Sequence, residues 1–175
     1  MAEALIRIDP VPIEAFSFAG GTMALEAATK RYSLRGEVAD LQAFAQVKLP
    51  TKIGDVRDDA AGMAVMLGPD EWLLIGAVAG GSAGQAVSIT EISERQIGLA
   101  IEGPAAAELL MSGCPLDLER MAVGRGTRTI YETVEIVVIK RSDTRFQVDV
   151  WRSFAPWLWA ALASTAQPAL PPVKV

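Results

Sequence analysis

The sequence predicts an α+β domain made of two related halves, each with an antiparallel sheet and packed helices. Most apolar segments are short enough for strands and are separated by turns rich in Gly, Asp and Pro. Two stretches repeat the order strand, glycine, helix and further strands, beginning at residues 34–36 (LRG) and 101–103 (IEG). A length of 175 residues suits one domain or two small intertwined halves.

The first half is expected over residues 30–76, behind an irregular N-terminal arm of residues 1–29. The arm has no sustained hydrophobic period and contains the chain breakers Pro10, Pro12 and Gly20-Gly21. In the first half, alternation predicts a strand and helical spacing predicts a helix that ends before Pro50. The predicted elements are a strand at 32–35, a helix at 37–45, a strand at 52–56, and a hairpin of strands 63–67 and 72–75 around a turn at 68–71.

A glycine-rich linker at residues 77–85 is predicted to join the halves, because each glycine weakens a helix by about 1 kcal/mol. The second half is expected over residues 86–166, which completes a single domain of residues 30–166. Pro104 opens its first helix, Gly113 ends that helix, and Ser153 is the predicted N-cap of the last helix. The proline-rich tail at 167–175 is expected to be extended or disordered. Strands of this half are predicted at 86–92, 96–102, 127–131, 134–140 and 146–151.

Composition excludes several classes of function. The formal charge is −5 and the basic residues are scattered, so no nucleic-acid partner is expected. There is no histidine, which removes the commonest general base and zinc ligand. A single cysteine, Cys114, excludes an internal disulfide and is expected to be a buried small hydrophobe. Neither a membrane-spanning apolar run nor an N-terminal signal core is recognisable, so we expect a cytoplasmic protein with no membrane partner.

The remaining polar features give no catalytic, cofactor-binding or metal-binding residue on this chain. The acidic clusters at residues 58–59, 70–71 and 91/94 lie at predicted turns, where solvated side chains are expected rather than acid–base catalysts. The glycines between residues 76 and 84 do not have the Gly-x-Gly-x-x-Gly spacing of a dinucleotide loop.

The segment from residue 151 to residue 159 (WRSFAPWLW) is the candidate subunit interface, with Trp151, Arg152, Trp157 and Trp159 as its residues. Tryptophan and arginine are frequent interface anchors. On a helix, Trp157 and Trp159 point about 200° apart, so one is expected to face the core and the other a partner chain. For Arg152, three roles stay open: a clamp within the domain, an intersubunit contact, or substrate binding.

Three motifs, in order along the chain, resemble the gamma subunit of heterotetrameric sarcosine oxidase. They are residues 67–74 (LGPDEWLL), 113–118 (GCPLDL) and 151–158 (WRSFAPWL), and the resemblance spans residues 67–162. That family is similar to the folate-binding domains of glycine-cleavage aminomethyltransferases, which consist of two ferredoxin-like α+β halves that exchange strands. The resemblance therefore implies such a fold here.

The resemblance also implies a function: a non-catalytic small subunit of a flavoenzyme that oxidatively demethylates sarcosine. The products would be glycine, hydrogen peroxide and a one-carbon unit that passes to tetrahydrofolate or leaves as formaldehyde. FAD, FMN, NAD, zinc and tetrahydrofolate would be held by the partner alpha, beta and delta subunits, and none by this chain. Two alternatives stay open: a stand-alone folate-binding protein like the aminomethyltransferases, and a subunit of an enzyme for another N-methyl amine.

Overall fold

The computed structural model describes residues 9–76 and 86–167. The predictions for residues 1–8, for the linker at 77–85 and for residues 168–175 of the tail lie outside these residues. The strands are β1 (Phe16–Phe18), β2 (Gly21–Leu25), β3 (Arg31–Arg35), β4 (Val56–Asp59), β5 (Gly62–Gly68), β6 (Glu71–Ile75), β7 (Ser88–Glu91), β8 (Gln96–Glu102), β9 (Gly126–Tyr131), β10 (Val134–Ser142) and β11 (Arg145–Trp151). The helices are α1 (Val38–Gln42), α2 (Ala106–Met111) and α3 (Ala155–Ala166).

The described strands form two antiparallel sheets. One has six strands in the order β1-β2-β8-β11-β10-β9, and the other has five in the order β4-β5-β6-β3-β7. The core of each sheet repeats the same order, since β8-β11-β10-β9 corresponds to β3-β6-β5-β4. The α+β class with antiparallel sheets is confirmed.

The two sheets exchange equivalent hydrogen bonds where β4 and β9 begin. The amide of Gly126 donates to the carbonyl of Gly54 at 2.9 Å, and the amide of Val56 donates to the carbonyl of Gly124 at 3.1 Å. Gly54 and Gly124 both have positive φ, +84° and +78°. The repeat that the sequence shows at residues 36 and 103 therefore extends to the junction between the sheets.

The prediction of an irregular arm over residues 1–29 is wrong for residues 16–25. Residues 16–25 form the hairpin of β1 and β2, and β2 pairs with β8. Gly20 has φ +88°, which the tight turn between these strands requires, so it turns the chain rather than ending the regular structure. The five-stranded sheet also contains strands from both predicted halves. Strand β7 follows the linker in sequence, and it pairs with β3 of the first half.

Other boundaries differ by a few residues. The strand predicted at 52–56 is instead β4, Val56–Asp59, and the helix predicted at 37–45 is a shorter α1, Val38–Gln42. The N-cap of α3 is Phe154 rather than the predicted Ser153, and Pro156 lies in the first turn, where its missing N–H is tolerated. The hairpin predicted around residues 68–71 is present as β5 and β6.

Apolar side chains fill three layers. The outer face of the six-stranded sheet packs on α2 and α3 through residues that include Val138, Val148 and Leu158. The outer face of the five-stranded sheet packs around Leu41 of α1. Between the sheets lie Met63, Val65, Leu73, Ile75, Ile92, Val137 and Ile139.

A buried ion pair also joins the sheets. Arg31 of β3 is 3% exposed and Asp149 of β11 is fully buried, and their Nη2 and Oδ1 atoms are 2.9 Å apart. Gln147 donates to the other carboxylate oxygen at 3.3 Å. Burial raises the pKa of Asp149 above its usual value, and the charge of Arg31 opposes that rise.

Candidate functional site

The candidate site is the corner where β11 ends and α3 begins. The amide of Phe154 donates to the carbonyl of Trp151 at 2.9 Å, which closes the turn between the two elements. The amide of Arg152 donates to the carbonyl of Arg95 at 2.7 Å and fastens the corner to the turn before β8. Two backbone bonds therefore fix how the aromatic side chains of this segment project.

Three aromatic side chains of this corner are exposed. Trp151, Phe154 and Trp157 are 38%, 45% and 40% exposed, and together we call them the aromatic strip. The rings of Trp151 and Phe154 are 6.2 Å apart, and Trp157 lies one helical turn after Phe154. Trp157 also makes an edge contact with Tyr131, with ring centroids 6.4 Å apart. A cluster of exposed aromatic residues, unlike scattered ones, is typical of an interaction surface.

The four residues of the predicted interface separate into three groups. Trp151 and Trp157 lie at the surface, as an interface requires. Trp159 is only 8% exposed and belongs to the core cluster under α3, so its place in the interface is corrected: it is buried within its own chain. Arg152 has intermediate exposure, and its three possible roles stay predictions.

Phe154 is an exposed aromatic residue of this corner that the sequence analysis missed. Counting the helix from an N-cap at Ser153 assigns Phe154 to the apolar inner face with Leu158. Because the helix starts one residue later, Phe154 precedes the first turn and projects outward. The residue type alone does not distinguish the two positions, since phenylalanine suits both a buried core and an exposed interface.

A small polar cleft lies behind Trp151, between the two sheets. It is lined by residues from both sheets and from the turn before β8: Ser33, Glu71, Arg95, Gln96, Arg128, Glu135 and Trp151, with apolar neighbours. The guanidinium of Arg95 stacks on Trp151, 4.6 Å from the ring centroid. The cleft has a volume of about 40 Å³, room for a few water molecules.

Glu71 closes the floor of this cleft. Its carboxylate accepts hydrogen bonds from Arg35 and from Arg128, each at 3.0 Å, and the residue is 7% exposed. The hydrogen bonds from Arg128 hold the pKa of Glu71 below its usual value, with help from the charge of Arg35 and against the effect of burial. The prediction that the acidic pair at 70–71 is solvated is therefore wrong for Glu71, because strand β9 supplies a cation that local sequence does not reveal.

The other candidate groups are structural. Cys114 is buried, as predicted, with its sulfur 3.9 Å from the hydroxyl of Thr129. Asp58 and Glu91 are exposed and pair with Arg141 and Lys30. Within residues 9–76 and 86–167, no three acidic or cysteine side chains are grouped as metal ligands. In the same part of the chain, no helix has the length and apolarity to cross a bilayer.

Comparison with known proteins gives two curated relatives. The chain is 30% identical over 147 residues to the sarcosine oxidase subunit gamma of Arthrobacter sp., covering 75% of this chain and 72% of that protein. It is 29% identical over 140 residues to the sarcosine oxidase subunit gamma of Corynebacterium sp. (strain U-96), covering 71% and 68%. No family model matches the chain.

Two solved structures resemble the fold. A chain of heterotetrameric sarcosine oxidase from Corynebacterium sp. U-96, in complex with pyrrole 2-carboxylate, superposes with a TM-score of 0.74 at 25% identity over 91% of this chain and 92% of that one. Glycine cleavage system aminomethyltransferase T from Bartonella henselae superposes with a TM-score of 0.63 at 17% identity, over 86% of this chain and 48% of that one. The second likeness concerns the fold alone, and the fold that the three sequence motifs imply is confirmed.

Proposed function

Because the chain belongs to the family of sarcosine oxidase gamma subunits, we propose that it is the small structural subunit of a sarcosine-oxidising complex of four different chains. The observation that carries the proposal is the match to subunit gamma over most of both sequences, together with the match of the whole fold to a chain of the heterotetramer. Sarcosine oxidases are oxidoreductases, and this chain serves one as a subunit.

The reaction of the complex is the oxidative demethylation of sarcosine. Sarcosine, oxygen and water give glycine, hydrogen peroxide and formaldehyde, or the one-carbon unit passes to tetrahydrofolate. FAD, FMN, NAD, zinc and tetrahydrofolate are bound by the partner alpha, beta and delta subunits in this proposal. Two observations on this chain support the proposal. The sequence has no histidine, and the fold exposes a cluster of aromatic side chains of a kind that suits contact with another chain.

The aromatic strip is the surface that contacts a partner subunit. Trp151, Phe154 and Trp157 keep more than a third of their surface exposed, although each lies next to a fully buried residue: Val150, Ala155 and Leu158. Aromatic anchors of this kind dominate binding when a partner covers them, and truncating one typically costs about 2 kcal/mol or more, roughly 30-fold in affinity. The proposed role is therefore to join and support neighbouring chains.

Co-expression with the flavin-bearing chains tests the function. A tag on this chain should retain a yellow complex of four different chains whose flavin bleaches when sarcosine is added. A colourless chain that stays alone, although its partners are well expressed, would reject the proposal.

Alanine substitutions test the role of the strip. Trp157→Ala and Phe154→Ala should each weaken retention of the partners by about 30-fold, because each removes a large apolar contact. Val123→Ala is the matched control, since Val123 is 51% exposed on the loop before β9, outside the strip. Equal retention by all three variants would show that the strip is not the interface.

The folate-binding alternative and the cytoplasmic location stay predictions with their own tests. Titration of the purified chain with tetrahydrofolate, followed by tryptophan fluorescence, separates a folate-binding protein from a structural subunit. Cell fractionation with an antibody to the complex tests the location. Sarcosine is distinguished from other N-methyl amines by comparing which of them bleaches the flavin.

A further inference from the structure

The turn before β8 holds Arg95 in a fixed position at the mouth of the polar cleft. The amide of Arg95 donates to the carbonyl of Ile92 at 3.0 Å, and its own carbonyl accepts from the amide of Arg152 at 2.7 Å. Its guanidinium stacks on Trp151 of the aromatic strip. The backbone of Arg95 is therefore fixed, and stacking on Trp151 restrains its exposed side chain, which lowers the entropy cost of binding.

Among the residues that the structure describes, the carboxylates of the cleft pair with arginines other than Arg95. Glu71 is neutralised by Arg35 and Arg128, and Glu135 lies 3.6 Å from the guanidinium of Arg128. Within the described ranges, no carboxylate lies within 4 Å of the guanidinium of Arg95. Its guanidinium, which carries five N–H donors, lines the cleft beside the ring of Trp151.

Gln96 supplies a second donor. It pairs with Trp151 across β8 and β11, so its side chain points to the same side of the sheet, into the cleft. The residue as a whole is 7% exposed, and its amide makes no hydrogen bond to any of the residues that the structure describes, although its polar atoms keep contact with solvent. The amide nitrogen can therefore donate to acceptor oxygens of a group that enters the mouth of the cleft.

We infer that the mouth of the cleft receives a carboxylate side chain, Asp or Glu, of the partner subunit that covers the aromatic strip. A carboxylate has two acceptor oxygens, which suit the fork of Arg95 and the amide of Gln96. The cleft volume of about 40 Å³ suits a group of this size. Trp151 belongs both to the strip and to the cleft wall, so one partner surface covers both. The inference rests on the proposed function and specifies the chemistry of its interface.

Charge reversal tests this contact in the co-expressed complex. Arg95→Glu should weaken retention of the partner chains by at least about tenfold, since it places like charges together at the interface. Arg57→Glu is the matched control: Arg57 is exposed on the edge strand β4, and the net charge changes equally. Retention of Arg57→Glu is expected to stay within about twofold of the unchanged chain.

Crosslinking provides a second measurement with a milder substitution. Arg95→Lys keeps the positive charge and introduces an amine that a carbodiimide can join to a carboxylate in contact with it. The assembled variant should give a crosslink, absent from the unchanged complex, between position 95 and an Asp or Glu of a partner chain, identified by mass spectrometry.

Three outcomes decide the inference. Loss of retention in Arg95→Glu together with the crosslink supports it. Equal retention of Arg95→Glu and Arg57→Glu, or no additional crosslink in Arg95→Lys, overturns it and leaves the proposed function intact. If the unchanged chain retains no flavin-bearing partner at all, the proposed function fails and this inference fails with it.

Discussion

Replacing Arg31 by methionine is expected to destabilise the chain by about 3–5 kcal/mol, because it leaves Asp149 charged and buried without its partner. Arg31 donates to one carboxylate oxygen from both Nε and Nη2, at 3.2 and 2.9 Å, and Gln147 alone would remain as a donor. Arg120→Met is the matched control. The side chain of Arg120 is 90% exposed, and loss of its ion pair with Asp117 should cost no more than about 1 kcal/mol.

The loss of stability caused by Arg31→Met should also depend on pH. Burial already raises the pKa of Asp149, and Arg31 opposes that rise, so its removal raises the folded-state pKa further. A carboxyl whose pKa is higher in the folded state binds its proton more tightly there, so stability falls as the pH rises above the unfolded pKa. The penalty grows by about 1.4 kcal/mol per pH unit until the folded pKa is reached.

Urea unfolding of the purified chain, followed by tryptophan fluorescence at pH 5.5 and pH 8, measures both effects. Arg31→Met should be less stable at pH 8 than at pH 5.5, relative to the unchanged chain. The double variant Arg31→Met/Asp149→Leu should recover most of the loss, because it removes the unpaired charge. A single variant as stable as Arg120→Met, or a loss that does not change with pH, would refute the reasoning.

Two further substitutions test other parts of the fold. Glu71→Gln should cost about 2 kcal/mol at pH 7, because it removes charge-assisted hydrogen bonds. The pKa of Glu71 is lowered in the folded state, so this contribution is complete above about pH 4.5 and is lost as the pH falls below that; urea titrations at pH 7 and pH 3.5 should show the difference between the chains shrinking. Gly103→Ala should cost several kcal/mol more than Gly124→Ala in thermal unfolding. Both glycines have positive φ, but a Cβ at residue 103 would lie 2.2 Å from a backbone oxygen, whereas one at residue 124 meets nothing within 4 Å. Equal losses in the two glycine variants would contradict the close approach at residue 103.

Local sequence patterns predicted those elements whose conformation depends mainly on residues close together in the chain. The hairpin of β5 and β6 follows from apolar strands around a Pro-Asp turn. Gly36 and Gly103 follow equivalent strands and have similar φ of +134° and +128°, so the repeated strand–glycine–helix order corresponds to a repeated backbone conformation. The opposite faces of Trp157 and Trp159 follow from helical geometry alone.

The errors concern contacts between residues far apart in sequence. Gly20-Gly21 indicates a break in the local sequence, although these glycines form the turn of a hairpin. The strand β2 is stabilised by β8, more than 70 residues away, and local sequence does not reveal that partner. Glu71 sits beside a turn, and its burial depends on Arg128 from the other sheet. Phe154 was misplaced by a one-residue error in the start of α3, which is a typical uncertainty at helix ends.

The architecture explains why the aromatic strip can be exposed without weakening the fold. Trp151 ends a strand that lies between two neighbours in its sheet, and Val150 immediately before it is fully buried. Leu158, next to Trp157, is fully buried under α3. Each exposed ring is thus held by a neighbour fixed in the core, so a partner meets a surface that is already ordered. Binding to such a surface costs less conformational entropy, which supports the proposed role of the aromatic strip as a contact with a partner subunit.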